Sequence, residues 1–359
     1  MKKVAIQMSG GIGDAIIALG SAAPHYMHCN LVGVVREHQV PLMRNFMGYQ
    51  KIISDHKMRN LGYYRTFDEV INFAGFLTTT RTLRTDDYYQ CAEEKLGKPV
   101  KEPGFWSFPE GAERVWQDTV AIHPGASNPN RHWNNEEWEK LAFSLAATGK
   151  KVVWLGPRNE FGFNATNIFK LSDTDETLEG QAKFLLRCGY FIGTDSGFAH
   201  VAGTGLIPGK VLFFSTSPEA VIARYPSLEG VKAYNKAGIE PSFSLDPEDE
   251  NAKISQKALK YDDICPEKCD LAVFSGPKNL PIRFKINIIS KSENSELHNY
   301  LRTTCDVTTS TNFQENADIN ILPLGTYGVL SNKNRELRTS LSDFNILNRA
   351  LWEFRALST

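Results

Sequence analysis

No apolar run in this chain approaches the roughly 20 residues that a membrane-spanning helix needs, and neither sign of charge predominates. Lys and Arg number 40 against 41 Asp and Glu, for a net charge of −1. Overall attraction to nucleic acid or to an anionic membrane is therefore missing, and nucleic acid as a partner has no support from charge. Cysteine is sparse: Cys29, Cys91, Cys188 and Cys305 stand apart, and only Cys265 and Cys269 are close. Their three-residue spacer suits half of a zinc site, but no second Cys or His pair follows at finger-like spacing. No metal is expected, and the thiols read as reduced and structural. There is no solenoid-type repeat. A Gly-Lys-Ser/Thr phosphate loop is lacking too, and the dinucleotide fingerprint is incomplete, since Ile16 stands where its third glycine belongs after Gly11 and Gly13.

What is present is the composition of a soluble globular protein, 42% hydrophobic and 23% charged over 359 residues, long enough for two domains. Met1 to Met8 begins like a signal peptide, but Gly10-Gly11-Ile12-Gly13-Asp14 interrupts its short apolar stretch. It reads as a first buried strand, which predicts a cytoplasmic protein.

Strand and helix signals then alternate, predicting a mostly parallel sheet. Strands are expected at 3–8, 30–35, 52–54 and 69–73, and a helix from Asp14 to Ala22 carries Ile16, Ile17 and Leu19 on one face. Pro99, Pro103 and Pro109, with Gly104 and Gly111, mark a linker. A second series follows: strands at 119–123, 151–156, 190–192 and 211–214, and helices at 134–148, 177–188 and 197–203. Residues 241–263 are polar and acidic and read as a surface excursion. Beyond them, 283–290 alternates like a strand, and 342–357 has the spacing of a terminal helix.

Three polar, glycine-bearing turns lie at strand ends. The most informative is Gly193-Thr194-Asp195-Ser196-Gly197, between an apolar strand and the helix that contains His200. Thr, Asp, Ser and Gly cap helix starts, and free N–H groups there, aided by the helix dipole, attract phosphate. The second, Ser9 to Ile16, places Gly11 and Gly13 where a ligand can approach the backbone, beside Asp14. Asp14 has two readings, a carboxylate facing a cleft or an ordinary charge favoured by the helix dipole. The third, His123-Pro124-Gly125-Ala126-Ser127 through Arg131-His132-Trp133, offers Ser127 and the planar fork of Arg131 to a phosphate. His123 fits a site or a satisfied core histidine, and Trp133 reads as packing under the next helix. A further turn, Gly156-Pro157-Arg158-Asn159-Glu160, reads as surface. The acidic pairs Asp86-Asp87 and Asp262-Asp263 read as solvated.

Together these turns resemble the heptosyltransferase-like glycosyltransferases of family 9. The resemblance rests on Gly13-Asp14-Ala15-Ile16, His123-Pro124-Gly125-Ala126 with Arg131-His132-Trp133, Val152 to Glu160, and Asp195-Ser196-Gly197-Phe198-Ala199-His200-Val201-Ala202. It spans about residues 1–220. Two places depart from the family pattern. The turn from Gly203 to Lys210 is long, and Ser215 stands where the family's G-x-T-x-P has glycine, before Thr216 and Pro218.

The resemblance implies the GT-B fold: an α/β protein of two facing Rossmann-like domains with a cleft between them. Residues 1–110 would bind the acceptor and 111–275 the nucleotide-sugar; 276–359 is an extension with no counterpart in the family, part of which would supply a terminal helix packing on the N-terminal domain. It also implies an inverting, metal-independent sugar transfer with no cofactor beyond the nucleotide-sugar co-substrate. Asp14 would be the general base. Ser127, Arg131, Asp195, Ser196, Gly197 and His200 would hold the donor, Asp195 at its sugar, with Gly11 and Gly13 at the backbone approach. The acceptor would be a glycan or another hydroxyl-bearing molecule, and the scarcity of basic residues near Asp14 suggests one of low charge. Two rival readings are a nucleotide-sugar epimerase of similar fold and a non-catalytic binding module.

Overall fold

A computed structural model describes residues 1–26, 28–46, 49–59, 61–73, 87–100, 116–156, 167–171, 177–205, 207–244 and 246–264, and the backbone of five strands after residue 284. The first sheet holds β1 (Lys3–Gln7), β2 (Asn30–Val35), β3 (Lys51–Ser54) and β4 (Glu69–Asn72) in the order β3-β2-β1-β4, all parallel. Strands buried on both faces read as continuous apolar runs, as Leu31 to Val35 does. Helix α1 (Ile12–Ala22) follows β1. It begins two residues earlier than its apolar spacing suggests, because the Asp14 carboxylate accepts a bond from the Gly11 N–H and closes the first turn. Ile16, Ile17 and Leu19 are fully buried on it, each contributing about 1.5–3 kcal/mol. Helix α2 (Tyr88–Leu96) is capped by Asp87, which accepts from the Tyr89 N–H.

The second sheet contains β5 (Trp116–His123), β6 (Lys151–Trp154), β7 (Ile168–Lys170), β8 (Cys188–Thr194), β9 (Gly209–Phe213) and β10 (Leu228–Lys232). Its order, β10-β9-β8-β5-β6-β7, is that of a complete Rossmann sheet, again all parallel. Three expected helices are present here: α3 (Asn135–Ala147), capped by Asn134; α4 (Leu178–Arg187), capped by Thr177; and α5 (Gly197–Thr204). The sequence thus predicted the α/β class and the parallel sheets correctly.

Residues 241–263 are not the surface excursion their polarity suggests. They hold helix α6 (Glu250–Ala258) and a helical turn at Tyr261–Ile264, with Ala252, Leu259 and Ile264 fully buried. Their acidic side chains do structural work at the rim. Asp249 caps α6, and Asp263 pairs with Lys236 and accepts from the Lys260 N–H. Only a few apolar residues reach the core, so average polarity hides them. Asp87 is likewise no solvated surface charge, since Arg224 pairs with it at 2.6 Å.

The strand expected at 283–290 is β11 (Lys285–Ile289). It belongs to a third sheet with β12 (Asp306–Ser310), β13 (Ile319–Leu324), β14 (Tyr327–Asn332) and β15 (Arg335–Ser340), in the order β12-β11-β13-β14-β15. The four later strands were not expected from the sequence. The terminal helix expected at 342–357, residues 101–111 of the linker, residues 157–160, and Cys265, Cys269 and Cys305 lie outside the described residues. Among the described residues no helix is long and apolar enough to cross a membrane.

Candidate active site

In open parallel sheets, ligands bind beyond the carboxyl ends of strands where the strand order reverses. The first sheet reverses between β1 and β4, and the second between β5 and β8. The turn 9–14 leaves β1, the turn 123–133 leaves β5, and the turn 194–197 leaves β8. All three polar turns read from the sequence therefore stand at switch points.

The two switch points meet through the starts of α1 and α5. A Cβ placed on Gly13 would lie 2.5 Å from the His200 Cδ2, and one on Gly197 would lie 2.8 Å from the Ile12 Cβ. Neither position has room for a side chain, so glycine is what lets the two helix starts come together.

On the second sheet's side, the turn after β5 is tied to the end of β8. The Thr194 hydroxyl donates to the Gly125 carbonyl at 3.0 Å. Asn130 is buried, its amide donating to the carbonyls of Ser244 and Asp246, and the Trp133 indole donates to the Leu259 carbonyl while packing edge-on against Trp138. The segment before and around α6 thus sets the turn that carries Arg131. Arg131 Nη2 donates to Ser127 Oγ at 2.7 Å, and Nη1 lies 3.6 Å from Asp195 Oδ2. Thr216, just past β9, donates its hydroxyl to the same Oδ2 at 2.6 Å.

Ser196 occupies the cap position of α5, but its hydroxyl does not cap the helix. It lies 3.0 Å from His123 Nδ1, and the His123 ring packs 4.5 Å from that of Phe198. Burial pushes the His123 pKa down to about 3, so the ring is neutral near pH 7. Of its two readings, the structure gives His123 the buried, hydrogen-bonded one. With its side-chain cap diverted, the start of α5 offers backbone N–H groups to an anion.

Asp14, half-buried, accepts the Gly11 N–H at 2.8 Å. Burial raises its pKa above the ordinary carboxylate value; the Gly11 N–H and the charges of Arg131 and Arg36 oppose that rise, and Asp195 adds to it. Basic residues are thus not scarce around Asp14, as the local sequence suggests. Arg36, at the end of β2, donates its Nε to the Ser9 carbonyl, and Arg131 comes from the other sheet.

His200 is buried in the seam. Its Nδ1 lies 2.8 Å from the Tyr225 hydroxyl, which lies 2.8 Å from the Tyr89 hydroxyl on α2. Burial lowers the His200 pKa to about 4, so any contact with an anion is made by a neutral ring. Sequence reasoning missed Tyr88, Tyr89, Tyr225 and Thr216 as parts of the site. Tyr88, half-buried in the first turn of α2, feels the charges of Asp195, Arg131 and Asp14, and burial raises its pKa. The one local signal for the pair was Asp87 as a helix cap. Among the described residues, no group of three His, Cys, Asp or Glu could hold a metal ion.

The family model for glycosyltransferase family 9 (heptosyltransferase) matches residues 84–243. Residues 84–243 are thus similar to the family 9 glycosyltransferases. The match contains Ser127, Arg131, Asp195, Ser196, Gly197 and His200, while Gly11, Gly13 and Asp14 precede it. No curated protein matches the chain. Among solved structures, a family 9 glycosyl transferase from Veillonella parvula is 14% identical, with a TM-score of 0.54 over 74% of this chain and 96% of that one. The dodecameric iron-containing heptosyltransferase TibC, in complex with ADP-D-beta-D-heptose, is 15% identical, with a TM-score of 0.55 over 76% of each chain. TibC from enterotoxigenic E. coli also appears at 14% identity, with a TM-score of 0.51 over 71% of this chain and 72% of that one. The fold of this chain is the α/β GT-B fold of these structures.

Proposed function

We propose that this protein transfers a sugar from a nucleoside-diphosphate donor to an acceptor hydroxyl, with inversion and without a metal. The observation that carries the reading is the meeting of two helix starts, α1 with Asp14 and α5 with Ser196 and Gly197, where Gly13 abuts His200 and Gly197 abuts Ile12, with Arg131 beside Asp195. Sugar transfer needs a base at the acceptor hydroxyl and positive potential at the departing diphosphate. Asp14 would take the acceptor proton, and its raised pKa makes it a stronger base than an exposed carboxylate. Arg131 and the N–H groups at the start of α5 would stabilise the leaving diphosphate; this fixed positive potential is the support for metal independence. Asp195 would hold the sugar, with Ser127 steadying Arg131. His200 would act as a neutral neighbour of the diphosphate and of Gly13.

ADP-heptose in the TibC complex supports an ADP-sugar of that kind as donor. We assign residues 1–110 to an acceptor domain, with a glycan or another hydroxyl compound as partner, 111–275 to the donor domain, and 276–359 to an extension.

The test is Asp14→Asn. Transfer is expected to fall by about 100- to 10,000-fold, the usual worth of a general base, while calorimetry finds nucleoside diphosphate bound as before. Turnover near that of the unmodified enzyme would remove Asp14 from the mechanism.

A further inference from the structure

Asp195 is 4% exposed, and its two carboxylate oxygens are in different situations. Oδ2 accepts the Thr216 hydroxyl at 2.6 Å and lies 3.6 Å from Arg131 Nη1. Among the described residues nothing bonds Oδ1. We propose that Thr216 is a positioning residue for the donor sugar, fixing Asp195 so that Oδ1 is the oxygen that accepts a sugar hydroxyl. This rests on the glycosyl-transfer reading above and specifies how its sugar subsite is held.

The reason lies in what else bonds that carboxylate. Arg131 is a long contact, and its fork is the group best suited to a diphosphate. Once Arg131 turns to the donor, its hold on Asp195 weakens, and a carboxylate on a two-torsion side chain can rotate away from the sugar. The Thr216 bond is shorter and comes from a residue with no role at the phosphates. It is also built on rigid backbone. The carbonyl of the buried Ser215 accepts the Phe243 N–H at 2.8 Å, and Phe243 has a left-handed backbone with φ 50°. A phenylalanine adopts that conformation only where its surroundings impose it. On the other side, Ser217 caps the short helix Pro218–Val221 through the Ala220 N–H at 3.3 Å. Thr216 is thus clamped between two anchored neighbours, as a residue must be to hold another in register.

The geometry also bears on selectivity. With Oδ2 occupied, Asp195 offers a single acceptor in a fixed direction. It selects for one hydroxyl of the sugar, and a donor lacking that hydroxyl leaves Oδ1 unpaired.

The test compares Thr216→Val, which keeps shape and removes the hydroxyl, with Thr216→Ser, which keeps the hydroxyl. Calorimetry first finds which of ADP, GDP, UDP and dTDP binds the unmodified protein, then measures that diphosphate and its sugar conjugate on all three proteins. The expected result is an unchanged affinity for the bare diphosphate in Thr216→Val. Its affinity for the sugar conjugate should fall by about tenfold, the worth of one charge-assisted hydrogen bond. Thr216→Ser should restore most of the loss. A merely structural role would weaken both ligands together, and that result overturns the proposal, as does a sugar-conjugate affinity unchanged in Thr216→Val. If the unmodified protein binds none of the four diphosphates, the glycosyl-transfer reading itself fails, a distinguishable outcome that takes this proposal with it.

Discussion

Gly13 and His200, from opposite sheets, are in contact so close that one added carbon on Gly13 would sit 2.5 Å from the His200 ring. The ring cannot retreat cheaply, because its Nδ1 is bonded to Tyr225 inside a buried seam. Gly13→Ala should therefore push α1 and α5 apart. Thermal or urea denaturation should reveal a loss of about 1–3 kcal/mol, the usual cost of overpacking, and transfer should fall further than stability does. A fully stable, fully active Gly13→Ala protein would mean that the two helix starts do not meet in solution.

The seam also makes a ranking prediction. The Tyr225 hydroxyl bridges His200 and Tyr89, so Tyr225→Phe leaves two buried polar atoms without that partner, whereas Tyr89→Phe breaks only one bond. Each buried group deprived of its bond costs about 1–3 kcal/mol. Urea titrations should place Tyr225→Phe below Tyr89→Phe, and both below the unmodified protein. Equal midpoints for all three would dismiss the bridge.

Acid should destabilise the fold well above the range of ordinary carboxylates. His123 and His200 have folded pKa values lowered from 6.5 to about 3 and about 4. Between 6.5 and those values the unfolded chain binds protons that the native state refuses. Stability therefore rises with pH across that window and is lost as pH falls through it, by up to about 1.4 kcal/mol per pH unit for each ring. Denaturation at pH 7 and pH 5 should find His200→Gln with a slope shallower by about one proton. An unchanged slope would show that His200 titrates normally.

Arg131 is held by Ser127 and lies beside Asp195. Arg131→Ala should weaken nucleoside diphosphate binding by about 10- to 100-fold, the worth of hydrogen bonds between charged groups. Arg131→Lys should recover only part of it, since an ammonium keeps the charge but not the fork. Calorimetry finding unchanged affinity in Arg131→Ala would remove this residue from the donor site.

Much of this was legible from short segments. The cap at Asn134, the strand leading to Thr194, the turn carrying Arg131 and the Gly-Asp start of α1 each depend on residues within a few positions of one another. Hydrophobic periodicity and capping chemistry report such local order directly. The helices within 241–263 escaped notice because Leu259 and Ile264 are isolated apolar residues among charges, and only their burial identifies them as core. The contacts of Tyr225, Tyr89 and Thr216 were invisible for a different reason. Each depends on a partner distant in sequence, and no local pattern encodes which distant hydroxyl will meet which ring or carboxylate.

By itself, then, the sequence determined the α/β class, the strand-to-helix turns and the residue types placed in them, because backbone propensity and strand burial act over a few residues. Tertiary structure alone decided that Ser196 turns to His123 rather than capping its helix, that Arg36 and Arg131 bring charge to Asp14, and that Thr216 holds Asp195. Those outcomes follow from which strands lie at the two switch points and from how closely two glycines let the helix starts approach.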